Sequence, residues 1–185
     1  GYNSGIRALE LGEEKPYSIS GVLFEDCYAG IASNSINNFA INSCTFKVGK
    51  GNSSSATGLH ISKGTGFNIT NNLFFKNSNS SYGIGITLYE TSLKEVNIIG
   101  KNNTFSSLVE GIYAHNQNDQ LFVACNINEE NIKDLNVNLI GSLGSPHQYL
   151  GGPAGNEFTQ TGTFDIQYQN PSKLEYYYNS LISKH

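Results

Sequence analysis

The chain of 185 residues has no tryptophan, no methionine and a single arginine, Arg7, and only 14% of its residues are charged. The formal net charge is -4, and no cluster of Lys and Arg occurs. A nucleic-acid partner needs such a cluster to neutralise phosphates, so that class is set aside. No apolar run approaches the length of a membrane span. No leader of charged, apolar and small residues opens the chain, which begins inside a repeat at Gly1-Tyr2-Asn3-Ser4-Gly5. The expectation is a mature protein or a piece of a longer one, its N-terminal edge continuing into further sequence or another chain. Cysteine is scarce and odd in number, at Cys27, Cys44 and Cys125. An odd count excludes a fully paired intramolecular framework, and the spacing fits no zinc signature. No metal or cofactor is expected.

What is present is uncharged polarity. Asn and Ser are frequent and Gly contributes 20 residues, all three poor in helix interiors. Tyr and Phe, at 11 and 10, supply too much apolar surface for a disordered chain.

The apolar residues recur. Gly5-Ile6, Gly30-Ile31, Gly58-Leu59, Gly83-Ile84 and Gly111-Ile112 are spaced by 25, 28, 25 and 28 residues. A second signature follows each pair, at Tyr17-Ser18-Ile19, Phe39-Ala40-Ile41, Phe67-Asn68-Ile69, Val96-Asn97-Ile98 and Leu121-Phe122-Val123. A third follows that, at Val22-Leu23-Phe24, Cys44-Thr45-Phe46, Leu73-Phe74-Phe75, Phe105 and Cys125-Asn126-Ile127. A fixed period in this range marks a solenoid. Apolar and polar residues alternate within each unit, as strands require, and helical i, i+3, i+4 stripes are missing. Three short strands per unit, separated by Asn, Gly and Ser, predict an all-β, right-handed parallel β-helix solenoid of about five coils. Ile31, Leu59, Ile84 and Ile112 are expected to stack along one axis. Residues 1–140 form the repeats, and 141–185, with Tyr149, Phe158, Phe164 and Tyr168, an irregular C-terminal cap over the open core.

The pattern Gly-Ile followed by Phe-x-Ile-x-x-Asn-x-Phe resembles the parallel β-helix repeats of the pectin-lyase-like superfamily over roughly residues 5 to 140. That resemblance implies the fold, which hosts lyases, hydrolases, adhesins and phage tailspikes alike. The segments Gly152-Pro153-Ala154-Gly155-Asn156-Glu157-Phe158 and Leu174-Glu175-Tyr176-Tyr177-Tyr178 resemble the tail after such repeats in large secreted surface proteins of Bacteroidota. This second resemblance implies an extracellular or cell-surface location and export by the type IX secretion system of those bacteria.

Catalytic sets are hard to assemble. Glycosidic cleavage needs two carboxylates facing one sugar. The four Asp residues, Asp26, Asp119, Asp134 and Asp165, do not stack in register, no Asp pair is adjacent, and Gly58-Leu59-His60 only echoes a Gly-His-Gly. The nearest catalytic grouping is Glu90, Glu110, His115 and Asp119. A carbohydrate-binding flank is the sharper expectation. Tyr82, Tyr89 and Tyr113 are the platforms for sugar faces, and Glu90, His115 and Asn116 bond hydroxyls. Asn42, Asn71, Asn72, Asn102, Asn103 and Asn126 are read as structural, stacking between coils at turns. Cys44 and Cys125, aligned through Ile41-x-x-Cys44 and Phe122-x-x-Cys125, are expected at one position three coils apart, about 14 Å and too far to pair. The reading that follows is a non-catalytic display scaffold with a polysaccharide or surface-protein partner. The alternatives are a polysaccharide lyase or glycoside hydrolase completed by further coils, and a tailspike-like trimer.

Overall fold

A computed structural model describes residues 4–9, 16–49, 55–91, 95–138, 154–159 and 162–169. Among these residues every element is a strand, and every pairing is parallel. The chain winds as a β-solenoid of about five turns. The first strand of each turn enters a seven-stranded sheet: β1 (Ser4–Leu9), β4 (Ala29–Asn34), β7 (Thr57–Ser62), β10 (Ile84–Tyr89), β13 (Glu110–His115), β16 (Lys133–Val137) and β18 (Phe164–Tyr168). The second enters a five-stranded sheet: β2 (Tyr17–Ser20), β5 (Phe39–Asn42), β8 (Asn68–Thr70), β11 (Asn97–Gly100) and β14 (Leu121–Ala124). The third enters a six-stranded sheet: β3 (Leu23–Phe24), β6 (Thr45–Val48), β9 (Leu73–Lys76), β12 (Thr104–Ser106), β15 (Ile127–Glu129) and β17 (Glu157–Phe158).

Alternation puts one apolar column of each sheet inside. In the seven-stranded sheet the column is Ile6, Ile31, Leu59, Ile86, Ile112, Leu135 and Ile166. Ile86 therefore takes the place expected of Ile84, which pairs with Thr57 and Glu110 instead. The run Gly83-Ile84-Gly85-Ile86 offers the same dipeptide twice, two residues apart, and side-chain parity alone does not separate the two. The spacings become 25, 28, 27 and 26 residues.

What separates them is the glycine. A Cβ on Gly30 would lie 2.7 Å from both the Gly58 carbonyl oxygen and Phe46 Cδ1. On Gly58 it would meet Gly85 O and Phe74 Cδ1 at 2.8 Å. On Gly85 it would meet Gly111 O at 2.5 Å and Phe105 Cδ1 at 2.7 Å. Gly83 makes no such approach, its nearest atom being 3.3 Å away. The column exists because the ring of each turn packs on its own turn's backbone. Those rings stack in turn, with centroids 4.8 Å apart for Phe24 and Phe46, 4.5 Å for Phe46 and Phe74, and 4.9 Å for Phe74 and Phe105. Offset stacking of this kind adds to the burial of each ring.

Two other alignments shift. In β11 the inward residues are Asn97 and Ile99, both fully buried, and not Val96 and Ile98. The Asn97 NH2 donates to the Thr91 carbonyl, while its Oδ1 is buried without a hydrogen-bond partner. In β15 the position of the stacked rings belongs to Asn128, not Ile127. Its amide is satisfied by the Glu157 carbonyl at 3.1 Å.

The corners are made by residues in the left-handed region. Ser35, Lys63, Glu90 and Asn116, with φ of 54 to 59°, follow the seven-stranded sheet. Gly21, Ser43, Asn71, Asn102, Cys125 and Gly155 occupy the corner after the five-stranded one. The first column is tied across turns by main-chain bonds, Ser35 N–H to Ser62 O at 2.8 Å and Lys63 N–H to Tyr89 O at 2.9 Å.

Asn72, Asn103 and Asn126, all buried, and the half-buried Asn156 form an amide ladder beside the second corner. The Cys44 N–H donates to Asn72 Oδ1 at 2.9 Å, Asn72 Nδ2 to Asn103 Oδ1 at 3.0 Å, Asn103 Nδ2 to Asn126 Oδ1 at 2.9 Å, and Asn126 Nδ2 to Asn156 Oδ1 at 3.0 Å. Cys44 thus heads the ladder, buried, while Cys125 lies one residue earlier in its turn, exposed in the left-handed corner column. The two do not share a position, and all three cysteines are free thiols. Of the segment expected to cap the solenoid, β17 and β18 extend two ladders by one strand each. Residues 139–153, 160–161 and 170–185, Tyr149 among them, lie outside the described residues.

Candidate functional site

The outer face of the seven-stranded sheet carries Tyr89, Tyr113 and His115, and the corner that follows it carries Glu90 and Asn116. Residues one position past the inward column point outward. They run Arg7, Ala32, His60, Thr87, Tyr113, Asn136 and Gln167 in register. Two residues further along, Asn34, Ser62, Tyr89 and His115 form a parallel column. Tyr89 and His115 are direct neighbours, their rings stacked at 5.0 Å. Tyr113 meets the His115 ring edge-on at 5.9 Å. The three rings make one aromatic group on a flat sheet, half-buried and open to solvent.

A polar group flanks the rings on each side. At the corner, Lys63, Glu90 and Asn116 are stacked in three successive turns. Lys63 Nζ lies 3.8 Å from Glu90 Oε2, and Asn116 Nδ2 donates to Glu90 Oε1 at 3.0 Å. At the strand starts, Glu110 accepts on Oε1 from Lys133 Nζ at 3.2 Å and from Asn136 Nδ2 at 2.9 Å. Glu110 is only 7% exposed and Asn136 5%. Tyr82 lies within the electrostatic reach of Glu110 and Tyr113. Burial pushes the phenols of Tyr82 and Tyr113 up from their ordinary value, and the Glu110 charge adds to it, so both stay protonated donors near neutral pH. Burial lowers the imidazole of His60 on the same face.

The structure thus brings together Tyr89, Glu90, Tyr113, His115 and Asn116, with Tyr82 at the Glu110 end. Glu110, His115 and Asp119 do not converge on one point, since Glu110 starts the strand that His115 ends and Asp119 lies exposed beyond it. Each flank carboxylate is matched to a cation and an amide. Among the described residues no group of three or more His, Cys, Asp or Glu is placed to hold a metal ion.

Sequence reading missed Lys133, Asn136, Asn138 and Gln167. Once Leu135 is placed in the inward column, the residue after it is outward by parity, a signal that was available from Ile112 and Tyr113. Compared with protein-family models, with curated proteins and with solved structures, the chain finds no match.

Proposed function

We propose that this chain is a non-catalytic display segment of a large extracellular bacterial surface protein, and that the outer face of its seven-stranded sheet binds carbohydrate. The observation that carries the reading is the Tyr89–His115–Tyr113 ring group, laid on a flat sheet between two carboxylate–amide pairs. Aromatic rings present apolar faces for the C–H side of a pyranose, and amides, carboxylates and phenols at their rim suit its hydroxyls. The ladders supply the stiffness that display requires. Each turn is locked to the next by main-chain bonds, ring stacks and the Asn ladder. The location rests on the resemblance of the tail to Bacteroidota surface proteins exported by type IX secretion.

The non-catalytic part has its own support. Hydrolysis or elimination asks for a carboxylate or base free to exchange a proton with the substrate. Glu90 and Glu110 each already face a lysine and an amide.

The purified chain should retard on affinity gels cast with polysaccharide, and should release neither reducing ends nor unsaturated, ultraviolet-absorbing products from them. Depolymerisation of any substrate overturns the non-catalytic reading in favour of a lyase or hydrolase. Absence of retardation across neutral and acidic polysaccharides removes the binding reading. A stable trimer in sedimentation would favour a tailspike-like assembly.

A further inference from the structure

Two side-chain nitrogens converge on one carboxylate oxygen where β13 and β16 begin. Glu110 Oε1 lies 3.2 Å from Lys133 Nζ and 2.9 Å from Asn136 Nδ2. Strand register fixes this meeting, since Lys133 is paired with Glu110 and Asn136 is three residues further along β16. Thr57 and Thr87, at the corresponding positions two turns earlier, meet in the same way, hydroxyl to hydroxyl at 3.2 Å. Water has little access to the later pair. Glu110 is 7% exposed and Asn136 5%, and Asn136 Oδ1 is buried without a hydrogen-bond partner, so the Glu110 bond sets how the amide is turned. Lys133 reaches in from the rim with a quarter of its side chain exposed.

An amine, an amide and a carboxylate touching both nitrogens are the parts of an aminolysis. We infer that Lys133 and Asn136 join in an intramolecular amide bond, with Glu110 carrying the protons. Glu110 takes a proton from the Lys133 ammonium. The freed electron pair of Nζ attacks Asn136 Cγ, and the Nζ–Cγ bond forms. Attack requires Nζ to close to about 3–3.5 Å of Cγ, which the flexible lysine stem supplies by turning about its terminal bonds. Glu110 then passes its proton to Nδ2, and the Cγ–Nδ2 bond breaks with its electron pair remaining on the departing nitrogen. Nζ gives up two protons in all. One completes ammonia and the second leaves with it as ammonium, so Glu110 ends as the carboxylate it began. No oxidant or co-reactant enters. Exclusion of water favours the amine over hydrolysis of the same amide.

The Lys63–Glu90–Asn116 group shows what the step needs by lacking it. Lys63 Nζ lies 3.8 Å from Glu90 Oε2, whereas Asn116 bonds the other oxygen, Oε1. No single oxygen serves both nitrogens there, and the lysine and glutamate side chains are 55% and 40% exposed. Asn116 therefore stays an ordinary amide. The reaction at Asn136 is intramolecular and happens once per chain, so it stands apart from the carbohydrate reading of the face.

Intact-mass spectrometry of the full chain, kept folded at neutral pH, tests this. The mass should fall by about 17 Da, one ammonia. Peptide mapping should find Lys133 resistant to trypsin and joined to Asn136. A succinimide at Asn136 shows the same loss, and Lys133→Arg separates the two, since it keeps a cation beside Glu110 but has no amine to attack. The loss should vanish in Lys133→Arg and form at least about a hundredfold more slowly in Glu110→Gln. Lys47→Arg, on the six-stranded sheet, should leave it unchanged. An unshifted mass of the unaltered chain overturns the proposal, whatever the variants do. A loss that persists in Lys133→Arg, or that forms at full rate in Glu110→Gln, overturns it as well.

Discussion

Asn72 and Asn103 sit one turn apart in the buried corner, and Asn103 Oδ1 accepts from both the main-chain and side-chain nitrogens of Asn72, each at 3.0 Å. Asn103 Nδ2 in turn reaches the Ile69 and Gly100 carbonyls at 2.9 and 3.0 Å. One side chain thus satisfies groups from two turns at a place where no strand pairing does so. Asn103→Leu keeps the volume and removes every one of these bonds. It should cost about 3 kcal/mol, from several buried groups left unmet. Urea denaturation followed by circular dichroism checks it, and a loss below about 1 kcal/mol would mean that the ladder is ornamental.

The glycine column makes a steric prediction. Gly58→Ala puts a methyl group 2.8 Å from a main-chain oxygen and 2.8 Å from the buried Phe74 ring, neither of which can retreat freely. The expected loss is roughly 2–3 kcal/mol. Gly83→Ala, whose nearest neighbour would be Val48 Cγ1 at 3.3 Å, should cost clearly less. Equal losses at the two positions would contradict the placement of Gly85, rather than Gly83, in the column.

Asp134 makes the fold sensitive to pH. Burial holds its carboxyl at about 7 against an ordinary 3.8, with the Asp165 charge on β18 adding to the rise and a bond from Asn131 opposing it. The folded chain therefore binds this proton more tightly than the unfolded one. The stabilisation is fully present below pH 3.8 and is lost as pH rises through about 7. Between pH 5 and 8 the unfolding free energy should fall by roughly 2.5 kcal/mol from this group alone. Asp134→Asn should flatten that slope and leave the variant more stable than the parent at pH 8. Parallel slopes for the two proteins would dismiss the effect.

The thiols should separate by accessibility. Cys125 is exposed at a corner, whereas Cys44 is buried, its thiol near the Asn42 and Ile19 carbonyls at 3.4 and 3.7 Å. A thiol-specific chromophoric reagent should modify Cys125 within the mixing phase and Cys44 only on unfolding. Mass spectrometry of peptides from the labelled protein identifies the site, and early labelling of Cys44 would place it wrongly in the ladder.

Parity and spacing made the strands, their inward faces and the number of turns legible, because a buried column writes itself as alternation. Register was less legible. At Gly83-Ile84-Gly85-Ile86 both dipeptides satisfy the same parity, and only the close approach of Phe105 to Gly85 decides between them. Asn97 and Asn128 misled for the opposite reason. They are polar residues in apolar columns, and the carbonyls that their amides meet are set by how the chain turns, Thr91 six residues back in the same turn and Glu157 one turn on. The aromatic part of the flank was readable, since Tyr89, Tyr113 and His115 follow the Gly-Ile pairs directly. The Lys133–Glu110–Asn136 group was not, because it joins residues of two turns whose alignment depended on the register itself.

The contact between each column glycine and the ring of its own turn has a bearing on how such a chain can lengthen. A turn brings its own wedge and its own notch, so the unit that must be copied to extend the solenoid is self-fitting. A tandem duplication of residues from Ile31 to Gly58 would add about 4.8 Å of height and reproduce the seating of ring on glycine. Growth and shrinkage of the rod by whole turns is then nearly free of steric conflict, whereas a shift of a single residue within a turn would drive a side chain into the neighbouring backbone.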